Sequence, residues 1–462
     1  MSDGFQEREL RAYVDLKLKD QAFLQQLYRE LGINHSNEQI QKMDADDLYR
    51  IIIKQNLLET LLRDANNTGP ATGMSTKAFG ATATEMADDN VPIGDVSLKV
   101  TIVEGKGFTE YLDKNDPKKK LRVAISFLKN RKMTKPVQAS SQPIIDQTFL
   151  LSFGSMFEAN QTTFDYLLKL RSPMSIVILE EDAETGNRKL LCEKQVEWRF
   201  VLVHKNLTMN HELMNATLAK GPLGIIKIHS QLITKGGQQI RMSEEMLDGQ
   251  LESERKAQAL KAVSFFEFSQ TWYNEYRALK ADFAKRAVKI YVEHSSAAAN
   301  YESSPLKPIF TYVHRLKLRG IDSPEHAARF VSLIPFRKPQ DPQNAMHTWR
   351  NFHSFLAEGS GEVQDHAALL CSLLLGFGLD AYICLGSCTD GAHCWVLTRQ
   401  IERDGAVQKA VFTYWESLTG QRYNQNDPKV NYLYRRIGCI FNDRRYYANM
   451  QESDTAFKTS LM

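Results

Sequence analysis

The sequence predicts a multidomain chain: an N-terminal α-helical module, then an all-β sandwich, then an α+β domain. Three observations predict it. Apolar residues recur at helical spacing up to about Asp64, alternate with polar ones from Val96 to about Ile233, and revert to a mixture of both periods after a long helical run. A chain of 462 residues accommodates about three domains at ~150 residues each.

In the first sixty residues Leu10, Val14, Phe23, Leu24, Leu27 and Leu31 follow a helical period, and Asp46 through Leu62 carry a further stripe over Leu48, Ile51, Ile52, Leu57, Leu58 and Leu61. Residues 1–65 are therefore expected to form a helical module whose stripes pack on one another or on a partner helix. Residues 66–95, rich in Thr, Ala, Gly and Asp and containing Asn67-Thr68-Gly69-Pro70, read as a linker.

From Val96 the period is two. Leu98, Val100 and Ile102 alternate with polar residues, and comparable runs appear at Leu121 to Phe127, Phe149 to Phe153, Ser175 to Leu179, Glu197 to Val203 and Ile225 to Ile233. Residues 96–235 are expected to be a β-sandwich, and residues 236–285 a helical connector running from about Ser243 to Lys285. Beyond it, residues 286–462 suggest strands at Val288 to Val292 and Ile309 to His314. A helix opens at Ser323-Pro324-Glu325, where Ser caps and Pro suits the first turn. Helices over Ala345 to Leu356 and Gln364 to Phe377 precede strands over Ala381 to Leu385, His393 to Thr398 and Ala410 to Trp415, an α+β order.

Bulk chemistry excludes several functions. With 58 basic and 55 acidic residues the net charge is +3, which argues against wholesale nucleic-acid binding. The N-terminus lacks the order of a signal peptide, and no apolar run approaches the ~20 residues of a membrane span. Six cysteines without a disulfide-like ladder fit a reducing compartment, so a cytosolic location is expected.

Several pieces of sequence resemble known families. LKVTIVEGKGF from Leu98 and SIVILEEDAETG from Ser175 are similar to a C2 domain. That resemblance points to Asp113, Asp116, Glu180, Asp182 and Glu184 as calcium ligands, since calcium gathers six to eight oxygens. The other reading is turn carboxylates, and Asp116-Pro117 continues into lysines where calcium-dependent members differ. Lys118, Lys119, Lys120, Arg122, Lys129, Arg131, Lys132 and Lys135 are close in sequence and suggest a face for anionic lipid or an acidic partner.

GEVQDHAALLCSLLLGFGLDAYICLG from Gly361, AHCWVLT from Ala392 and VFTYWESLTG from Val411 resemble the transglutaminase-like (papain-like) peptidases in order and composition. In active members a cysteine opens the helix, a histidine begins the next strand and an aspartate follows. The helix start lowers the thiol pKa, histidine takes the proton and the carboxylate orients the histidine. Alignment on Ala367 and Gly378-Leu379 puts Val363 at the nucleophile, His393 at the histidine and Glu416 at the aspartate. Valine has no lone pair, so no catalytic residue and no enzyme activity are expected. Cys371 lies eight positions into the helix, ~12 Å away, among leucines that raise a thiol pKa. Cys384, Cys388, His393 and Cys394 offer zinc-type ligands, but adjacent strand residues point to opposite faces. No metal or cofactor is expected.

The combination, with HAARFVSLIPF from His326 and GPLGIIKI from Gly221, resembles the centrosomal protein of 76 kDa family. The resemblance implies a noncatalytic scaffold of the cytoplasm and cytoskeleton, at the centrosome, centriole or basal body, which limits centriole reduplication through centriolar proteins including the centriolar capping complex. That family extends beyond Met462, so contacts made by its extension are expected to be missing. The alternative is a ciliary or membrane adaptor acting through the C2-like domain.

Overall fold

The computed structural model describes residues 96–108, 111, 116–153, 163–214, 222–235, 240–294, 306–339, 346–404 and 407–461. The expected helical module, the linker and Asp113 lie outside these residues.

Val96 to Ile102 bury every second side chain because β1 (Val96–Lys106) lays one face on a core. It lies between β5 (Ile144–Ser152) and β9 (Pro222–Thr234), with β8 (Leu207–Met214) beyond, giving the antiparallel order β5-β1-β9-β8. The facing sheet contains β2 (Lys119–Phe127), β3 (Asn130–Met133), β6 (Met174–Asp182) and β7 (Arg188–Val196) in the order β3-β2-β6-β7, while β4 (Val137–Gln138) pairs with β2. Leu98, Val100, Ile125, Ile176 and Leu191 interdigitate between the sheets, with Phe127, Phe153 and Trp198 packed edge to face and tilted at 5.0–5.5 Å. Gly224 has φ 154° and an added Cβ would stand 2.8 Å from the Lys106 carbonyl oxygen, so only glycine fits where β9 passes β1. The short helix α1 (Thr163–Lys169) buries Leu167 and Leu168.

The strand expected at Glu197 to Val203 is instead a turn of 3-10 helix over Arg199–Leu202. Arg199 explains it: this buried guanidinium bonds Glu197 at 2.9 Å, Glu254 at 2.8 Å and the Leu168 carbonyl at 2.8 Å, partners that converge on a coil and not on a sheet ladder.

Helix α2 (Glu244–Leu279) starts where Ser243 accepts from the Met246 amide. Leu247 and Leu251 enter the sandwich core, whereas Tyr276 enters the core of the second domain. One rod of ~54 Å thus belongs to both domains.

The second domain opens with β10 (Tyr291–His294), which starts later than the first expected strand, and β11 (Leu306–Pro308), which ends just before the second; that second stretch is a 3-10 turn at Ile309–Tyr312. Helix α3 (Pro324–Ser332) is capped by Ser323, whose hydroxyl accepts from the His326 amide. The helix expected at Ala345 to Leu356 resolves into β12 (Thr348–Trp349) and α4 (Phe352–Glu358). Asn351 sets the boundary, since its side chain caps the Ser354 amide at 2.9 Å. Next come α5 (Val363–Gly376), β13 (Asp380–Cys388), β14 (Gly391–Asp404), β15 (Val407–Trp415), β16 (Arg422–Asn424), α6 (Pro428–Leu433), β17 (Tyr434–Phe441) and β18 (Tyr446–Ala448).

The strands form one antiparallel sheet, β16-β15-β14-β13-β17-β18. Leu369, Leu370 and Leu373 of α5 pack with Ile383, Cys394, Val396 and Trp415 on one face. Cys384, Trp395, Leu397 and Tyr414 pack with Val430 and Tyr434 on the other.

Candidate functional site

Strand alternation decides what the helix start and the histidine can do together. Cys394 and Val396 of β14 face α5, so Trp395 and Leu397 face away from it. His393 shares the Trp395 side: its ring stacks on Trp395 at 6.1 Å and on Tyr434 at 6.4 Å. There its Nε2 lies 2.9 Å from Glu416 Oε2, and the Tyr434 hydroxyl donates to the same oxygen at 3.2 Å. Glu416 also accepts the Leu418 amide at 3.3 Å. Burial, then the neighbouring Glu416 charge, pushes the Tyr434 hydroxyl pKa up, which keeps it a neutral donor.

Val363 begins α5 and packs, half-buried, against the core on the opposite side of the sheet. The structure therefore brings His393 and Glu416 together and leaves Val363 apart from them. The physical reason is the period of two: His393 and the helix-facing Cys394 are neighbours in sequence and cannot share a face.

What surrounds the helix start is a charge cluster. Arg350, buried, reaches Glu358 at 2.5 Å, Asp365 at 3.5 Å and Glu362 at 3.8 Å, while Arg337 reaches Glu358 at 2.5 Å. Burial raises the Asp365 carboxyl pKa, and Arg350 opposes that rise. Asp365 also accepts the Glu362 amide at 2.9 Å, closing the first turn. The sequence carries this signal in the acidic run Glu358, Glu362 and Asp365 beside Arg350, which the expected site did not use.

Burial sets three of the cysteines against nucleophilic work. Cys371, Cys384 and Cys394 are buried, and desolvation pushes each thiol well above its ordinary pKa. Cys384 and Cys394 lie on opposite faces of the sheet, so the zinc-type set does not converge. Among the described residues no three His, Cys, Asp or Glu side chains group as metal ligands.

The eight basic residues of the sandwich differ in what they contact. Lys118 pairs with Glu184 at 3.1 Å, Lys119 with Glu180 at 3.2 Å, and Arg122 with Glu181 at 2.6 Å, while Lys120 donates to Gln138 at 2.6 Å. Arg131 lies over the Phe352 ring at 5.4 Å, and burial lowers its pKa. Lys129, Lys132 and Lys135 stay exposed. The same pairs occupy the expected calcium ligands: Glu180 accepts from Lys119 and the Tyr111 hydroxyl, and Glu184 holds Lys118. Asp116 caps the Lys118 amide at 3.0 Å, and Asp182 caps the Glu184 and Thr185 amides at 2.9 and 2.8 Å. These are the bonds of turn carboxylates.

Sequence reasoning missed the junction between the domains. Helix α4 rests on the outer face of β6 and β7, where Ala357 packs with Ala124, Val177, Leu179 and Leu190. Arg188 donates to the Ala357 carbonyl at 3.3 Å. Glu193 of β7, 5% exposed, accepts from the Asn351 amide group and the Ser354 hydroxyl. A signal existed: VAISF and SIVIL are apolar without alternation, as in strands covered on both faces.

No helix among the described residues is long and apolar enough to cross a membrane. Residues 347–462 match the family model of the CEP76 peptidase-like domain, and residues 89–237 match that of the CEP76 C2 domain. Centrosomal protein of 76 kDa from Xenopus tropicalis is 30% identical across 90% of this chain and 65% of that protein. The human protein of the same name is 29% identical across the same shares. Human Protein CC2D2B is 32% identical over 28% of this chain and 8% of its own length. The chain spans just under two thirds of the centrosomal relatives it matches. With both domains in sequence and homology along nine-tenths of its length, the chain belongs to the centrosomal protein of 76 kDa family.

Proposed function

We propose that this chain is a noncatalytic centrosomal scaffold that limits centriole reduplication, acting with centriolar proteins that include the centriolar capping complex. The observation that carries the noncatalytic reading is the division of the peptidase-like centre by its own sheet. Val363 and the Arg350 carboxylate cluster lie on the α5 face, while His393 and Glu416 lie on the other. A thiol attack needs the nucleophile and its base within hydrogen-bond reach. His393 and Glu416 then serve as a satisfied polar pair beneath Tyr434. Homology to proteins named centrosomal supports the location.

A tagged copy in dividing cells should concentrate at centrioles, and its depletion should raise centriole number per cell. Diffuse signal with unchanged counts would sink the reading. The noncatalytic part is tested separately with purified protein and acyl-thiol probes: turnover that disappears on substituting one cysteine by alanine would refute it.

A membrane-adaptor reading keeps one supporting observation, the exposed trio Lys129, Lys132 and Lys135. Charge reversal of the three should then abolish flotation with phosphatidylserine vesicles. No flotation of the unmodified chain removes this second reading.

A further inference from the structure

Helix α2 docks on the body of the molecule along a single stripe. Its buried residues are Leu247, Leu251, Ser269 and Tyr276, and separations of four, eighteen and seven residues return to one helical face. Leu260 stands nine residues from both Leu251 and Ser269, about two and a half turns, and therefore on the opposite face. There Leu260 is 61% and Val263 56% exposed. Lys256 and Glu267 complete the outward seam, the four residues being separated by four, three and four. Every residue from Arg255 to Ser264 is exposed, so nothing in the described chain covers this stretch.

We propose that this seam is a self-association surface, on which α2 of a second copy lies antiparallel about a two-fold axis passing between Lys261 and Ala262. The pattern selects the occupant. Reversed upon itself, the seam sets Leu260 against Val263 and Lys256 against Glu267, each pair occurring twice, as an isologous contact requires. A parallel arrangement would set Lys256 against Lys256 and Glu267 against Glu267. The present Lys256 contact with Glu252, 2.8 Å and 75% and 64% exposed, is an exposed pair that exchanges readily for an intermolecular one. The docked stripe faces the other way, so a second helix approaches from the solvent side. Two leucine–valine pairs form a smaller core than the ~1,000 Å² of a tight interface, so the dimer is weak and reversible, suited to a protein held at high local density by other contacts.

Sedimentation velocity of the full chain from low micromolar to submillimolar concentration tests this. A monomer–dimer equilibrium is expected. Lys256→Glu should weaken it roughly tenfold or more, because two attractive pairs become repulsive. Glu267→Lys should do the same, and the double exchange should restore association to within about threefold. Leu260→Glu with Val263→Glu should leave monomer, with unchanged circular dichroism showing that the exposed positions do not support the fold. A mass that stays monomeric in the unmodified chain overturns the proposal. So does a dimer indifferent to these substitutions, failure of the double exchange to rescue, or an intact seam that captures a different protein without self-associating.

Discussion

Replacing Glu193 by glutamine should stabilise the protein at pH 8 and leave it nearly unchanged at pH 5. Glu193 of the sandwich is buried against α4, and burial raises its carboxyl pKa from 4.5 to about 7, with Ser354 and Lys307 opposing the rise. Lys307 and Tyr312 are the titratable groups that face it across the junction. A carboxyl whose folded pKa is raised binds more protons folded than unfolded between pH 4.5 and 7. Its contribution to stability is therefore complete below pH 4.5 and declines as pH rises towards 7. The gap corresponds to about 3 kcal/mol at 1.36 kcal/mol per pH unit. Glu193→Gln mimics the protonated form and removes this dependence, less the ~1 kcal/mol of a hydrogen bond if Gln fits less well between Asn351 and Ser354. The net gain at pH 8 is about 2 kcal/mol. His294 and His353, whose pKa values burial lowers to about 3, act in the opposite sense and weaken the fold as pH falls below 6.5. They are present in both proteins, so the difference between variant and parent isolates Glu193. Urea denaturation of both at pH 5 and pH 8 measures it. Parallel pH dependences, or a variant less stable at pH 8, would refute a buried carboxylate at the junction.

Two further outcomes follow from the second domain. Arg350→Met should cost about 3–5 kcal/mol at pH 8, because Asp365 would keep buried charge without its cation and Glu358 would be left with Arg337 alone, and less at pH 5, because burial raises the Asp365 pKa and favours its protonated form. Denaturant titration at both pH values checks the amount and the direction. Brief alkylation of the native protein should modify Cys388 alone among its six cysteines, the other five being buried, whereas unfolded protein should take up reagent at all six; mass spectrometry of the peptides distinguishes the two patterns.

Local signals located much of the fold. Ser323 with Pro324 announced α3, the alternation from Val96 announced β1, and the leucines after Gln364 announced α5. The run at Glu197 misled because its outcome depends on Arg199 meeting Glu254, which is 55 residues away in the chain. Residues Ala345 to Leu356 misled because apolar spacing outweighed Asn351, a cap that ends one element and begins another. At the candidate site the sequence named His393 and Glu416, and the structure pairs them at 2.9 Å.

The sequence by itself determined residue chemistry: a valine where a thiol would be needed, a histidine and a carboxylate at related positions, and stretches of two different periods along the chain. Only the tertiary structure decided which of those groups meet. Which side of β14 faces α5 depends on how the sheet packs, and that placed Val363 and His393 on opposite sides. Likewise, eight basic residues in one stretch became three ion pairs, a lysine bonded to Gln138, an arginine over a ring and three exposed lysines, because partners such as Glu180, Glu181 and Phe352 come from other strands and the other domain. Charge and hydrogen-bonding capacity belong to each residue, but Coulomb attraction and desolvation act over a few ångströms, and those distances exist only once the chain has folded.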